Sequence, residues 1–223
     1  MKTVLQNVAF MIVLGLLLFP PAGTFAWPQA WIFLALFDGC ALILGLWLRK
    51  VDPDLLAERM KSPGGAGQKP QDRAVMIAIM VGFALWLVFM ALDARRFGWS
   101  HVPLWAQALG AALIVIAFYA WTGVLRANSF ATTRVRLQPE RGQAVISTGP
   151  YAIVRHPMYA DMMFLIFGVP LLLGSLWGLL GVVPLTALLV ARLLGEEAML
   201  IAGLPGYREY ATKVRFRLLP GVW

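Results

Sequence analysis

Residues 157–194 read PMYADMMFLIFGVPLLLGSLWGLLGVVPLTALLVARLL. A Gly-Ser pair at 174–175 divides this stretch into two apolar runs, 157–173 and 176–194. Each run is close to the roughly 17 to 25 residues that cross a bilayer as a helix. Prolines interrupt both runs, and glycines near the break permit close helix contact. The stretch therefore predicts a membrane helical hairpin that does not cross fully straight.

Four more apolar runs precede this hairpin, at about 4–25, 27–48, 74–92 and 104–125. Hydrophobic residues make up 60% of the 223-residue chain and charged residues only 13%, whereas about a quarter of the residues of a soluble domain are charged. The predicted fold class is all-α: a polytopic membrane helical bundle of about six membrane segments. The first run is expected to break at Pro20 and Pro21, and the stretch from Asp93 to Pro103 to be a loop.

The first run leaves one alternative open. Lys2, an apolar stretch and small residues near Ala26 also fit a secretory signal peptide. The second run follows Trp27 almost without a gap, which favours a tight pair of membrane helices instead.

Basic residues predict the orientation of the bundle. If the segments 49–73 and 126–155 lie on the same side as both termini, only Arg95 and Arg96 of the 19 lysines and arginines lie on the other side. Basic residues collect on the cytoplasmic side of membrane proteins. Both termini are therefore predicted to be cytosolic. The net charge of +8 reflects this bias rather than nucleic-acid binding, for which the chain has no motif.

Polar and aromatic residues crowd the start of the fifth run: Gly149, Pro150, Tyr151, Arg155, His156, Pro157 and Tyr159. Proline suits the first position of a helix and keeps the preceding residue out of the helical region. The free backbone amides there, with Arg155 beside them, are expected to seat a carboxylate or a phosphate. The alternative is an interfacial belt, in which such side chains anchor a helix among lipid headgroups.

A second charged group closes the sixth run. Arg192 and Glu196 are one helical turn apart, and Glu197 is adjacent. An intrahelical salt bridge would explain the first pair but is worth only about 0.3 to 0.5 kcal/mol at an exposed site. Two neighbouring carboxylates at a membrane helix end are better explained by function, because ionisable groups near hydrocarbon are costly.

Several other kinds of site are not expected. Two histidines and one cysteine give no zinc constellation, so no metal is predicted. The glycines Gly64, Gly65 and Gly67 neither follow a strand nor open a helix, so they are not a dinucleotide fingerprint. The chain also has no Gly-x-Ser-x-Gly nucleophile turn.

The polar residues occur in a characteristic order: Gly149, Pro150, Tyr151, Val154, Arg155, His156, Pro157, Met158 and Tyr159, then Arg192, Glu196 and Glu197, then Gly206, Tyr207, Tyr210, Val214 and Pro220. This order resembles the isoprenylcysteine carboxyl methyltransferase family, whose core phospholipid methyltransferases share. The likeness is strongest over 128–223. The stretch 52–73, with Leu55, Leu56, Glu58 and Arg59, also looks like a loop of bacterial members.

The resemblance implies an integral membrane enzyme, in the inner membrane of a bacterium, that uses S-adenosylmethionine at its cytosolic face. It implies N-terminal membrane helices over 1–127, with a cytosolic loop at about 49–73, and a methyltransferase core over 128–223. By the same resemblance Arg192 and Glu196 are catalytic and orient a lipophilic acceptor that enters from the bilayer. The implied cofactor-binding residues are Tyr151, Val154, Arg155, His156, Pro157, Tyr159 and Glu197.

The identity of the acceptor stays open at this point. Asp161 departs from the small residue that many members have there, and an extra carboxylate favours an amine or cationic substrate. For an amine or thiol acceptor, Glu196 or His156 is the first candidate base. Two other functions remain: an NADPH-dependent sterol-type reductase, whose C-terminal core looks similar, and a non-catalytic membrane scaffold.

Overall fold

The structure is a computed structural model that describes residues 2–61 and 68–223. Every regular element within these residues is helical, as predicted. The α-helices are α1 (Lys2–Ala22), α2 (Pro28–Val51), α3 (Pro53–Arg59), α4 (Pro70–Ala91), α5 (Leu104–Ala127), α6 (Pro157–Leu173), α7 (Val182–Gly203) and α8 (Tyr207–Lys213). Gly64, Gly65 and Gly67 lie outside the described residues, so their role stays a prediction.

Within the described residues, five helical stretches are long and apolar enough to cross a membrane: Thr3–Ala22, Pro28–Val51, Pro70–Phe97, Leu104–Ala127 and Trp177–Gly203. The sixth apolar helix, α6, has 17 residues and a length of about 26 Å, slightly less than the roughly 30 Å of a hydrocarbon core. Large apolar side chains such as Leu104 and Val183 are more than 70% exposed, which suits a surface in contact with lipid. The chain is an integral membrane protein.

The first helix does not break at its prolines, contrary to the sequence prediction. Helix α1 continues through Pro20 and Pro21 to Ala22. Gly23 then adopts a positive φ of 71°, and its N–H donates to the carbonyl of Phe19 at 2.9 Å. Neither proline can donate an amide hydrogen bond, but the helix ends at Ala22, one residue beyond Pro21.

The stretch after α4 also differs from the predicted loop. Residues Leu92–Phe97 continue α4 as a π-helix, which ends at Gly98 with φ 62°. The carboxylate of Asp93 in this segment is fully buried. Its Oδ2 accepts hydrogen bonds from the hydroxyls of Ser100 and Ser175, each at 2.5 Å. The bond from Ser175 links residues 82 positions apart, and the two bonds together stabilise a conformation that local sequence does not indicate.

The chain forms two compact units, each built from three segments. The first comprises Met1–Trp47, Met80–Tyr119 and Met162–Thr186, and its packing depends on small residues. A β-carbon on Gly110 of α5 would lie 2.6 Å from the carbonyl oxygen of Gly168 and 2.5 Å from the amide nitrogen of Leu172, both in α6. The backbones of α5 and α6 are therefore too close for any larger side chain at Gly110.

The second unit comprises Leu48–Ile79, Ala120–Asp161 and Ala187–Trp223. All the candidate site residues from the sequence lie in it. Within the predicted cytosolic loop, Asp52 caps α3 by accepting a hydrogen bond from the amide of Leu55 at 2.9 Å, and Pro53 occupies the first turn. The functional boundary at 127/128 that the resemblance implies stays a prediction.

Substitution of Gly110 by alanine tests the close approach in the first unit. We expect Gly110→Ala to lower the free energy of unfolding by about 1 to 3 kcal/mol, because its methyl group would press on backbone atoms that cannot rotate away. The readout is the thermal unfolding midpoint in detergent. Gly39→Ala is the matched control, since a β-carbon there meets nothing within 4 Å. Equal midpoints for both variants would contradict the packing described.

Candidate functional site

Arg155 joins the predicted motif to the C-terminal tail. Its Nη1 donates to the carbonyl oxygens of Ala211, Val214 and Arg215 at 3.2, 3.0 and 3.1 Å. The amide of Arg155 donates to the carbonyl of Phe216 at 2.9 Å, and that of His156 to the carbonyl of Arg217 at 3.0 Å. The amides of Arg155 and His156 are therefore bonded to the tail and not free for an anion, and the anion seat at the rest of the helix start stays a prediction. The sequence could not indicate these bonds because they span about sixty residues of chain.

Glu197 brings the two halves of the sequence motif together. The carboxylate is 3% exposed, and its Oε1 lies 2.6 Å from Nε of Arg155. Its Oε2 accepts a hydrogen bond from Nε of Arg217 at 2.7 Å. Nε2 of His156 lies 3.9 Å from Oε1. The resemblance implies that His156 and Glu197 bind the same cofactor, and their side chains are neighbours in the structure.

Besides the ion-paired Nε of Arg155 and Oε1 of Glu197, Nε2 of His156 and the hydroxyl of Tyr207 are buried near this carboxylate without a hydrogen-bond partner among the described residues. His156 is 5% exposed and Tyr207 4%. Burial raises the pKa of Tyr207 well above its ordinary value, so the phenol keeps its proton. A buried polar group without a partner costs roughly 1 to 3 kcal/mol, and such groups point to a ligand.

Two further tyrosines hold the segment before α6. Tyr151 lies in the 3₁₀ turn Gly149–Ala152, and its hydroxyl accepts a hydrogen bond from Nδ2 of Asn128 at 2.9 Å. The hydroxyl of Tyr210 donates to the carbonyl of Tyr151 at 2.7 Å. Burial raises the pKa of Tyr151 above its ordinary value and that of Tyr210 to about 12. Both phenols are neutral at physiological pH.

Arg192 and Glu196 do not form the intrahelical salt bridge that was the simpler explanation for them. Nε of Arg192 donates to Oδ1 of Asp72 at 2.9 Å, and its Nη2 donates to the carbonyl of Thr133 at 2.6 Å. Glu196 instead accepts a hydrogen bond from the hydroxyl of Tyr159 at 2.8 Å. Both side chains are thus oriented by residues far away in sequence.

Asp72 is a site residue that the sequence analysis missed. Its Oδ2 accepts hydrogen bonds from the amide of Val135 at 3.2 Å and from Nε2 of Gln68 at 2.7 Å, while Oδ1 binds Arg192. Asp72 therefore connects the start of α4, the segment after α5 and α7. In sequence it looks like an ordinary acidic residue in the first turn of a helix, and nothing local distinguishes it.

The other predicted residues occupy the same unit. Val154 is buried, and Pro157 is the first residue of α6, which confirms the predicted helix start. Asp161 lies one turn further on, and its Oδ2 is buried without a hydrogen-bond partner in the described part of the chain. Its effect on the acceptor stays a prediction.

Arg59 also reaches this region, from the end of α3. Its Nη1 donates to the carbonyl of Ala131 at 2.7 Å and lies 3.9 Å from the sulfur of Met158, inside the motif. The preceding residue, Glu58, points to a different set of partners: Lys61, Arg134 and Arg136. The hydrogen bond from Lys61, together with Arg136, holds the pKa of Glu58 below its ordinary value.

Comparison with protein families supports the motif assignment. Residues 105–203 match the family model described as phospholipid methyltransferase; a comparison with curated proteins found no match. The matched stretch contains the motif at 149–159 and the charged group at 192–197, but not Arg59, Asp72 or the C-terminal tail. Over residues 105–203 the chain is similar to phospholipid methyltransferases, which confirms the resemblance drawn from the motifs.

Proposed function

We propose that this protein is an integral membrane methyltransferase that uses S-adenosylmethionine and acts on a lipophilic acceptor. One observation carries the proposal. The motif residue His156 and the tail residue Tyr207 present buried polar atoms that have no hydrogen-bond partner in the described part of the chain, next to Glu197 and within or beside the stretch that matches phospholipid methyltransferases.

The residues present suit this cofactor. When bound, S-adenosylmethionine supplies a methyl group on a positively charged sulfur. Nε2 of His156 and the hydroxyl of Tyr207 are available to bind its polar groups. Oε1 of Glu197 contacts Arg155 as an ion pair without hydrogen-bond geometry, so it can accept a hydrogen bond from a ligand. The neutral ring faces of the tyrosines attract a sulfonium by cation–π interaction.

Arg155 contributes to this site indirectly. All of its contacts are to protein carbonyls and to Glu197. By holding residues 211–217 against the start of α6, it keeps Tyr207 and Tyr210 near the motif. Arg217 reinforces the arrangement, because its guanidinium bonds Glu197 and lies 5.1 Å from the ring centre of Trp223.

Arg192 and Glu196 form the acceptor side of the proposed site. Methyl transfer is an in-line displacement, so alignment of the two reactants supplies much of the rate increase. Arg192 is fixed by Asp72 and Thr133, and Glu196 by Tyr159, so both can hold an acceptor in one orientation. Glu196 is also placed to take a proton from an amine or thiol, whereas a carboxylate acceptor needs no base.

The proposed location is the inner membrane of a bacterium, with both termini and the site on the cytosolic side. The distribution of basic residues supports this orientation, because Arg95 and Arg96 alone fall on the opposite side. The acceptor would enter from the bilayer. Membranes incubated with a radiolabelled methyl donor should then incorporate label into extracted lipid; label that appears only in soluble products would contradict a lipophilic acceptor.

Ligand binding to the purified protein tests the cofactor assignment. We expect calorimetry to detect S-adenosylhomocysteine and not NADPH, and we expect Tyr207→Phe to weaken binding by about three- to ten-fold, the effect of one lost hydrogen bond. Tyr207→Phe should not lower the thermal midpoint, because the deleted hydroxyl has no protein partner. Tyr210→Phe is the contrasting variant: it loses the bond to Tyr151 and should lower the midpoint. Binding of NADPH instead would favour a reductase.

The acceptor side can be tested separately. We expect Glu196→Gln and Arg192→Lys each to lower kcat/KM for methyl transfer by about ten- to a hundred-fold, because each disturbs a fixed contact to the acceptor. The Kd for S-adenosylhomocysteine should stay within about two-fold of that of the unmodified protein, a difference of about 0.4 kcal/mol. If the affinity of either variant for S-adenosylhomocysteine falls as much as its activity, that residue belongs to the donor side.

A further inference from the structure

Arg59 is a cation without a carboxylate. Among residues 2–61 and 68–223 its hydrogen-bonding contacts are those of Nη1 with Ala131 and Met158, and no acidic side chain of these residues lies within ion-pair distance of it. The neighbouring Glu58 is already shared by Lys61 and two arginines. A partly buried charge without a counter-charge is costly. An anion beside Arg59 would therefore compensate its charge.

Arg192 stands beside this cation. Arg59 donates to the carbonyl of Ala131, and Arg192 to that of Thr133, two residues further along the same segment. Adjacent Cα atoms are about 3.8 Å apart, so these two carbonyls lie within about 8 Å of each other. Two guanidinium groups are thus attached to one short stretch of chain. Asp72 pairs with Arg192, which leaves Arg59 as the uncompensated charge.

Both guanidinium groups have donors to spare. Nη1 of Arg59 is used, and its Nε and Nη2 bond to no described protein group; Arg192 uses Nε and Nη2 and leaves Nη1. Burial, with a smaller contribution from the charge of Arg192, lowers the pKa of Arg59 to about 10, so Arg59 is still protonated at neutral pH. Such forks match the oxygen atoms of carboxylates and phosphates.

We propose that Arg59 and Arg192 together bind an anionic group, a carboxylate or a phosphate, carried by the lipophilic acceptor. This inference rests on the proposed function, because it assigns the anion to the acceptor through Arg192. Arg59 comes from α3, outside the residues that match the methyltransferase family model. The site thus takes part of its specificity from the segment before α4.

The alternative source of the same anionic chemistry is the carboxylate of the methyl donor. Arg155 is less suited to that group, because its Nη1 donates to three protein carbonyls and its Nε contacts Glu197. The geometry favours the acceptor for Arg59 because its partner arginine stands one helical turn from Glu196 and not among the unpartnered atoms of His156 and Tyr207. Separate measurements with donor and acceptor probes distinguish the two sources.

The experiment uses the full-length protein in an uncharged detergent and three radiolabelled probes of equal chain length: dodecyl phosphate, dodecanoate and dodecanol. Equilibrium binding is measured for the unmodified protein, Arg59→Gln and Arg59→Lys. Arg208→Gln is the matched control, because Arg208 is exposed and bonds only the carbonyl of Ile201. Binding of S-adenosylhomocysteine and the thermal midpoint are measured on the same preparations.

We expect Arg59→Gln to weaken binding of both anionic probes by about ten-fold or more, the usual loss for a charged hydrogen bond. Dodecanol and S-adenosylhomocysteine should bind as before. Arg59→Lys should bind the anionic probes with intermediate affinity, since lysine keeps the charge but lacks the planar set of guanidinium donors. Arg208→Gln should match the unmodified protein. Equal binding of dodecyl phosphate by the unmodified protein and Arg59→Gln would overturn the proposal.

A loss of S-adenosylhomocysteine binding in Arg59→Gln would also overturn it, because the anion would then be the donor's carboxylate. Failure of the proposed function gives a different result. A protein that binds dodecyl phosphate through Arg59 but transfers no methyl group to lipid would retain the anion site and lose the methyltransferase assignment. Methyl transfer to lipid with no dependence of anion binding on Arg59 would do the reverse.

Discussion

The buried carboxylate of Glu197, shared between Arg155 and Arg217, is the interaction on which the site depends. Removing a carboxylate from water costs several kcal/mol unless opposite charges and hydrogen bonds compensate it. Here the compensation comes from the start of α6 on one side and the C-terminal tail on the other. Because Arg155 also binds three tail carbonyls, the fold of residues 211–217 and the placement of His156 are a single structural problem.

The ion pairs with Glu197 involve charged side chains that would otherwise be free to bind a ligand. Arg155 and Arg217 direct their Nε atoms at Glu197, whereas Arg59 and Arg192 lie on the acceptor side of the proposed site. Asp72 fixes the second of these, and the first has no counter-charge among the described residues. The site therefore has two electrostatically different parts. Described hydrogen-bonding atoms without partners lie around Glu197, and the uncompensated positive charge of Arg59 lies beside Arg192. This division matches the charges of the two proposed ligands, a cationic methyl donor and an anionic acceptor.

Apolar run length predicted most of the helical fold. The fifth run and α6 have the same bounds, 157–173, because a proline defines the start and a Gly-Ser pair the end. Prediction was wrong where distant residues override local signals. The π-helix after α4 exists because Ser100 and Ser175 bind Asp93. Asp93 follows an apolar run, so in sequence it resembles the beginning of a loop.

The sequence by itself determined that this is a membrane helical protein and predicted that 149–159 and 192–197 carry its chemistry, because both signals are local: apolar length, and polar residues at helix ends. Only the tertiary structure decided which partner each charge takes. It pairs Arg192 with Asp72 rather than Glu196, commits Arg155 to the tail, and brings Arg59 to Met158. Ion pairs depend on distances of a few ångströms between segments up to 120 residues apart, and no local pattern encodes such distances.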